Sequence, residues 1–380
     1  VGTTTEFTDQ GERRKRPHIP AGQPIPLTKN PIVRLAYRAN DHGSLLALLS
    51  KGGRLLVVRI AADDVAGDHP IITELPQPSG TVTALALDAL LENLYVGTAD
   101  GQVVHVALSE TESPEMRAAY TVAASSTAVT TLGFLSGDRS LVVMSEDGAV
   151  STWGLVRRAD APSGWTLTRT HTLRAHNAPV TAFAPSQRVK GFVTGDMKGN
   201  LFLHHATSSQ TLLRLANSEF PIRAVAFAPK GDGLIALDGA GQLSLYQVQN
   251  AYPEVTLETL FAKVWYEGYD QPAHVWQSSS GSDDVEPKLG LLPLAFGTLK
   301  GTMYALFLAV PIAVLAAMCT SQFMHQDLRA KIKPIIEVMA ALPTVVLGFL
   351  AGLWLAPLLE RMLPAVAGMA LVLPLLVLAS

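Results

Sequence analysis

Apolar residues form long unbroken runs at the end of this chain, whereas they alternate with polar residues before it. Three runs stand out, at residues 294–318, 334–358 and 362–380. A bilayer core of about 30 Å is crossed by roughly 20 apolar residues in a helix. Only helices and closed barrels satisfy all their backbone hydrogen bonds in lipid. The pattern therefore predicts three membrane helices within residues 291–380.

Between residues 31 and 250 the chain repeats a pattern of short apolar strands. Five repeats begin at residues 32, 82, 129, 180 and 222, and each has a glycine 19 to 21 residues after its start. Asp-Gly pairs supply the positive φ of a tight hairpin, and a repeat in the forties with several strands is typical of a β-propeller blade. The predicted turn residues are Asp100, Gly101, Asp147, Gly148, Asp196, Gly199 and Gly241.

The repeats resemble WD40 or YVTN-type blades. His176 and Asp196 in the fourth repeat, and Asp147 and Trp153 in the third, stand at positions that form a structural hydrogen-bond set in WD40 blades. No repeat carries the full set, so the resemblance is to the architecture. We expect a ring of about seven blades, with the remaining blades in a longer polypeptide of which these 380 residues are a part.

Two segments flank the repeats. Residues 1–30 lack an apolar period and predict a linker or tail. Their basic run, Arg13 to Arg16, is interpreted either as a contact with anionic lipid or nucleic acid or, as we favour, as a solvated loop.

Residues 251–290 predict a connector rich in large aromatic side chains. These side chains are interpreted either as membrane-interface anchors or as packing beneath the last blade. They are Trp265, Tyr266, Tyr269 and Trp276.

Composition and motifs argue against several classes of function. The formal net charge of −3 gives no electrostatic reason for a nucleic-acid partner, and the single cysteine, Cys319, excludes a disulfide framework within these residues. His204 and His205 are neighbours on a predicted strand and point to opposite faces, so they cannot share a metal ion. No hydrolase, metalloprotease or P-loop motif is present. We expect no catalytic residue, no metal and no cofactor.

Charge also predicts a topology for the membrane segment. The interval Gln326–Lys333 carries Arg329, Lys331 and Lys333 against one acid, Asp327. Short loops rich in Lys and Arg remain in the cytoplasm. The first membrane helix is then expected to run from outside to inside, which places the propeller in the periplasm of a bacterium with the chain anchored in its inner membrane.

From residue 265 onward the chain resembles the PstC-type phosphate permease family of binding-protein-dependent ABC importers. The long proteobacterial form of this family has a large soluble insertion between its first two membrane helices. The resemblance rests on these segments: Val264–Glu267, Val275–Ser278, Phe296–Thr302, Ala309–Pro311, Pro334–Gly348 and Ala356-Pro357.

The resemblance implies a fold, a function and partners. The fold is mixed: an all-β propeller-like soluble domain followed by an α-helical membrane domain, an incomplete type-1 ABC importer permease. The implied function is half of the translocation pathway of an ATP-driven phosphate importer. The implied partners are a second, PstA-like permease subunit, a cytoplasmic PstB-like ATPase that hydrolyses ATP, a periplasmic phosphate-binding protein and the lipid bilayer.

Few residues of the membrane segment could carry function. Ionisable groups in membrane helices are candidates by default, so Glu337 and Lys300, together with Thr344, are candidates for the pathway or a subunit contact. Glu337 is interpreted alternatively as pairing with Lys333 or reaching the interface, and Lys300 as reaching lipid headgroups. Helix kinks and close helix packing are predicted at Pro311, Pro343, Gly348 and Gly352.

Other functions remain open. A membrane-tethered propeller acting as a scaffold or sensor has the same apolar runs and needs no transport partner. A secreted propeller enzyme or lectin is disfavoured by those runs.

Overall fold

The computed structural model describes two compact units, Val1–Phe296 and Gly297–Ser380. The description covers residues 27, 28, 30–61, 70–108, 114–124, 126–161, 164–278, 285–340 and 342–363, the single positions 365, 368, 369 and 372, and the backbone alone of residues 2–7 and 13–18.

The first unit contains five consecutive antiparallel sheets, one for each repeat of the sequence. The first sheet contains β3 (Ile32–Asn40), β4 (Gly43–Ser50), β5 (Leu55–Ala61) and β6 (Ile71–Leu75). The second contains β7 (Val82–Leu87), β8 (Asn93–Thr98), β9 (Gln102–Ala107) and β10 (Glu115–Thr121). The third contains β11 (Val129–Phe134), β12 (Ser140–Ser145), β13 (Val150–Arg157) and β14 (Trp165–Leu173). The fourth contains β15 (Val180–Pro185), β16 (Gly191–Asp196), β17 (Asn200–His205) and β18 (Gln210–Ala216). The fifth contains three described strands, β19 (Ile222–Phe227), β20 (Gly233–Asp238) and β21 (Leu243–Gln247).

The sheets pack face to face. All six residues of β12 are buried, and successive residues of a strand point to opposite faces, so this strand is covered on both sides. One apolar cluster joins Tyr95 and Val103 of the second sheet to Val129 and Phe134 of the third. The first strands of consecutive sheets also lie side by side. The result is a propeller-like array of blades.

Residues 1–30 contain more structure than the predicted linker or tail. β1 (Gly2–Phe7) and β2 (Arg13–His18) form an antiparallel hairpin that pairs Gly2 with His18 and Phe7 with Arg13. The basic run therefore lies on a strand, because main-chain pairing uses backbone groups that every residue type except proline provides in full.

The connector contains a short helix, α1 (Leu257–Phe261), and a two-stranded ladder of β22 (Trp276–Gln277) and β23 (Lys288–Leu289). A capping box begins α1: Thr256 accepts from the Thr259 backbone N–H, and the Thr259 hydroxyl accepts from the Thr256 N–H.

Helices make up the second unit. α2 (Leu292–Met318) starts just before the boundary between the units and continues through a π-helical turn at Cys319–Phe323. α3 (Gln326–Ala340) follows, and then α4 (Thr344–Leu350), a second π-helical turn at Ala351–Leu355, and α5 (Ala356–Arg361). In the described residues, two stretches are long and apolar enough to cross a membrane, Leu292–Phe323 and Thr344–Arg361.

The second membrane helix differs from its prediction at 334–358. α3 begins at Gln326, inside the interval predicted as a charged loop, because Gln, Leu, Arg, Ala and Lys are all good helix formers. It ends at Ala340, before Pro343, which lacks an N–H and disfavours a helical residue before it. Most of the third predicted helix, 362–380, lies outside the described residues.

The turn glycines of the blades allow a matched test of packing. Gly199 and Gly241 both have positive φ, +81° and +84°. A Cβ at Gly199 would lie 1.9 Å from the Ser218 carbonyl oxygen, whereas a Cβ at Gly241 would meet nothing within 4 Å.

Gly241→Ala should cost about 1–2 kcal/mol of backbone strain, and Gly199→Ala about 2 kcal/mol more because Ser218 must move. Urea unfolding monitored by tryptophan fluorescence measures both; equal losses would contradict this packing.

Candidate functional site

Buried charged side chains fix the connector to the blades. Lys190, in the loop between β15 and β16, lies 2.6 Å from a carboxylate oxygen of Glu267, and the two side chains are 4% and 10% exposed. The Lys190 ammonium also donates to the Ser136 carbonyl oxygen of the third sheet. A buried ion pair is stable when further hydrogen bonds satisfy its charges, so the three segments are linked at one point.

A second buried carboxylate extends this anchor. Glu286 accepts from the backbone N–H of Glu267 at 2.6 Å and is hydrogen-bonded to the Thr207 hydroxyl. Burial raises the pKa of Glu286, and the neighbouring Glu267 carboxylate raises it further. The ionised form of Glu286 is therefore less favourable in the folded protein than in water.

Three further hydrogen bonds attach the connector to the third and fourth sheets. His171 contacts the Trp265 carbonyl oxygen at 2.9 Å, the Ser208 hydroxyl donates to the Pro253 carbonyl oxygen at 3.0 Å, and the Arg157 backbone N–H donates to Asp270 at 2.9 Å. These contacts join residues that are far apart in the sequence, and they hold the connector against the third and fourth blades.

The connector aromatics pack against protein. Tyr266 is almost fully buried, and the Trp265 indole N–H donates to the Tyr269 carbonyl oxygen at 2.8 Å. The ammonium of Lys288 lies 5.9 Å and 5.7 Å from the ring centres of Tyr266 and Tyr269. Of the two interpretations, packing describes these rings, although the contacts are to the third and fourth blades rather than the last. Trp276 remains exposed.

A cavity of about 280 Å³ lies between the connector and the second, third and fourth sheets. Tyr95, Asp138, Trp153, Tyr266 and Glu267 are among the residues that line it. One carboxylate oxygen of Glu267, Oε1, is buried and has no hydrogen-bond partner among the described residues. The cavity belongs to the same polar cluster that anchors the connector.

The fourth blade contains a buried hydrogen-bond network. His176 joins Asp196 at 2.9 Å and Thr194 at 2.7 Å, and Thr194 joins His204 at 3.0 Å. Asp196 also accepts from the Asn200 backbone at 2.9 Å, which closes the turn. All these groups are satisfied internally, so the network stabilises the blade. Among the described residues, no group of three or more His, Cys, Asp or Glu side chains could hold a metal ion.

The membrane candidates lie on separate helices. Lys300 lies in α2 with its ammonium 5.6 Å from the Tyr304 ring centre, Glu337 lies in α3, and Thr344 is the first residue of α4. Within the described part of the chain, no hydrogen bond or ion pair joins these three residues, and none joins Glu337 to Lys333. The structure does not bring them together.

The predicted helix-modifying residues lie in different contexts. Pro311 is inside α2, which continues past it, whereas Pro343 directly precedes α4. Gly348 lies in α4, and Gly352 lies in the following π-helical turn. A Cβ at either glycine would meet nothing within 4 Å, so this surface is open to another helix.

Sequence reasoning missed the anchor residues. Thr207 and Glu286 are 79 residues apart, and a single lysine, threonine or glutamate in a polar loop gives no signal of burial. The aromatic cluster around residue 266 was the one visible indication that the connector packs against something.

One comparison with known proteins finds a relative for part of the chain. No protein-family model matches the chain. The chain is similar to the "Probable ABC transporter permease protein YqgH" of Bacillus subtilis (strain 168), with 28% identity over 78 residues, which is 20% of this chain and 25% of that protein. The match thus spans a quarter of the relative. The chain has distant partial similarity to an ABC transporter permease, a non-enzymatic membrane subunit, and the two apolar helices indicate a membrane location.

Solved structures similar to the chain include β-propeller domains. They include the β-propeller domain of Cps50 (Swd1) from Myceliophteria thermophila, with 16% identity over 58% of this chain and 72% of that one, and a TM-score of 0.47. The WD40 β-propeller domain of Doa1 has 19% identity, coverage of 56% and 64%, and a TM-score of 0.42. TM-scores below 0.5 carry no conclusion about function. The propeller-like architecture is established by the five sheets themselves.

The buried ion pair gives a stability prediction with a surface pair as its control. Lys190→Met should destabilise the protein by about 3–5 kcal/mol, because it leaves Glu267 charged and unpaired in the interior. Arg54→Ala removes the exposed pair with Glu74 (2.7 Å) and should cost far less, because water and salt screen an exposed ion pair. The measurement is the free energy of unfolding in urea. Similar losses for both variants would show that the anchor contributes no more than a surface ion pair.

Stability should also fall in acid because of buried histidines. Burial, together with the smaller effect of the Arg117 guanidinium, lowers the pKa of His105 to about 4. The unfolded pKa is about 6.5, so the neutral folded form contributes stability above pH 6.5 that is lost as pH falls towards 4. His105→Gln should give a shallower decline of unfolding free energy between pH 7 and pH 4. Parallel declines would show that His105 does not titrate in this way.

Proposed function

We propose that this chain belongs to the permease subunit of an ATP-driven phosphate importer and contributes part of the translocation pathway. The observation that carries the proposal is the partial similarity to an ABC transporter permease, together with two helices able to cross a membrane. Phosphate as the substrate rests on the resemblance of residues 265–380 to the PstC-type family.

The proposed partners follow from the same resemblance. A PstA-like subunit would complete the pathway, a PstB-like ATPase would supply energy from the cytoplasm, and a periplasmic phosphate-binding protein would deliver the substrate. Arg329, Lys331 and Lys333 lie on α3, after the first span. Their positive charge supports a cytoplasmic α3 and a periplasmic propeller.

The polar anchor supports a defined role for the connector in this proposal. The connector leads from the last blade to Leu291, whose backbone N–H donates to the Leu260 carbonyl oxygen at 2.8 Å. Because Lys190, Glu267 and Glu286 hold the connector against two blades, we propose that the connector is an integral part of the propeller unit.

Phosphate uptake at micromolar supply tests the function. The complete reading frame, expressed with its neighbouring subunits in cells that lack their own phosphate permeases, should restore ATP-dependent uptake. Restoration by a variant lacking residues 31–250 would show that the propeller is dispensable for transport. Absence of uptake despite membrane insertion and complex assembly would reject phosphate and favour another anion or the tethered scaffold or sensor.

Lys300 is proposed as a pathway residue and Thr344 as a further candidate for the pathway or a subunit contact, whereas Glu337 of the cytoplasmic α3, outside both spans, is proposed for a subunit contact. A lysine in a membrane helix is costly unless it faces protein or water, and an ammonium attracts phosphate. Lys300→Met should raise the KM for phosphate by about tenfold, equivalent to 1.4 kcal/mol, while Lys300→Arg should retain uptake. Equal KM values for Lys300→Met and the unmodified protein would exclude Lys300 from the pathway.

A further inference from the structure

Equivalent positions can be compared directly because the five sheets share one register. In each sheet the first strand has a register shift after its first residue, which makes Ile32, Val82, Val129, Val180 and Ile222 equivalent. The third strands are aligned by their pairing with the second, which makes Leu55, Val103, Val150, Leu201 and Leu243 equivalent. Each sheet therefore has a leading face, towards the preceding sheet, and a trailing face, towards the following one.

On the leading face of the first sheet, the side chains of the first strand (Ile32, Leu35 and Tyr37) are exposed, whereas Leu48, Leu56 and Val58 of the next two strands are buried in a cluster with Leu27. Ile32 is 49% exposed, whereas its equivalents Val129 and Ile222 are fully buried. Ile222 packs against the preceding sheet, where its Cγ2 lies 2.5 Å from the place a Cβ would occupy on Gly195. The first strand of the first sheet therefore lacks the cover that its equivalents have, although the central strands of the same face are covered.

The trailing face of the fifth sheet, defined by Ile235, Leu243 and Leu245, is uncovered. Leu243 is 55% exposed and Leu245 is 70% exposed. All four equivalents of Leu243 in the other sheets are buried, each in an apolar cluster with the following sheet. The fifth sheet also presents β21 as its outermost described strand, whereas the other four sheets continue to a fourth.

We propose that these two faces are the two halves of blade–blade junctions, occupied by further blades of the same polypeptide that precede the first sheet. The hairpin of β1 and β2 supports this occupant. It comes directly before β3 and is antiparallel, in the place along the chain where the third and fourth strands of one blade precede the first strand of the next. β1 and β2 are then the outer strands of a preceding blade.

Closure constraints favour this occupant over a second copy of the chain. Propellers close with about four to eight blades, which leaves room for up to three beyond these five. Two copies joined through their open faces would form a ring of ten sheets, outside that range. Exposed apolar sheet faces of this kind are also aggregation sites unless they are covered.

Cysteine labelling of the complete, purified polypeptide in detergent tests the proposal. In a background without other cysteines, Leu243→Cys reports the trailing face, Leu201→Cys gives the rate for its buried equivalent and Lys198→Cys gives the rate for an exposed turn. Maleimide should modify Leu243→Cys at least about tenfold more slowly than Lys198→Cys, as expected for a site exposed only by local opening. A rate equal to that of Lys198→Cys would overturn the proposal.

Two further measurements identify what covers the face. Protection that disappears on dilution would mean that a second copy covers it, and would overturn the same-chain proposal. Direct contact between the first and fifth sheets would place Ile32 against Leu237, so rapid disulfide formation in the Ile32→Cys/Leu237→Cys variant would also overturn it. Gly97→Cys/Val129→Cys, at a junction between adjacent sheets, is the positive control. Protection that is independent of concentration, without the Ile32–Leu237 disulfide, is the expected result.

Discussion

Every sheet in the first unit depends on burial of both of its faces. A central strand such as β12 has apolar side chains on both faces, and no six-residue strand can bury them within its own sheet. Stacking against a neighbour removes apolar area from water at about 25 cal/mol per Å², so stability comes from the junctions between blades. This dependence explains why the glycines of the central strands matter: Gly195 lets Ile222 approach the backbone of the preceding sheet. It also makes the uncovered trailing face of the fifth sheet the most informative surface of the unit.

Polar contacts then help to fix the position of the connector, which follows the last blade. The connector buries Val264 and Tyr266, and its position is fixed further by the Lys190–Glu267 pair, by Glu286 and by hydrogen bonds to backbone carbonyl groups. Such contacts are directional, and removing one partner leaves a buried charge without compensation. A connector held in this way has one position rather than many, which suits a subunit in which a large soluble domain and a membrane domain belong to the same chain.

The helical unit follows a different constraint. In lipid the backbone must satisfy its own hydrogen bonds, so long helices form wherever the sequence is apolar. The side chains of α2, α4 and α5 are exposed in the chain by itself, and a permease subunit would bury part of that surface against lipid and part against partner helices. Lys300 and Glu337 gain functional meaning only in such an assembly, because their own chain provides no partner for Glu337 among the described residues and only the Tyr304 ring for Lys300.

The sequence by itself determined the two-part organisation, the five blades, their turn glycines and the presence of apolar membrane helices. Each of these follows from a local pattern. Alternating apolar and polar residues predict strands, a spacing to glycine that recurs in all five repeats predicts the turns, and runs of apolar residues predict helices. It did not predict the hairpin at residues 2–18 or the start of α3 at Gln326, because pairing and helix propagation tolerate polar sequences. Only the tertiary structure revealed the anchor formed by Lys190, Glu267 and Glu286. These residues are isolated in the sequence, and burial by three different segments is what turns them into one site.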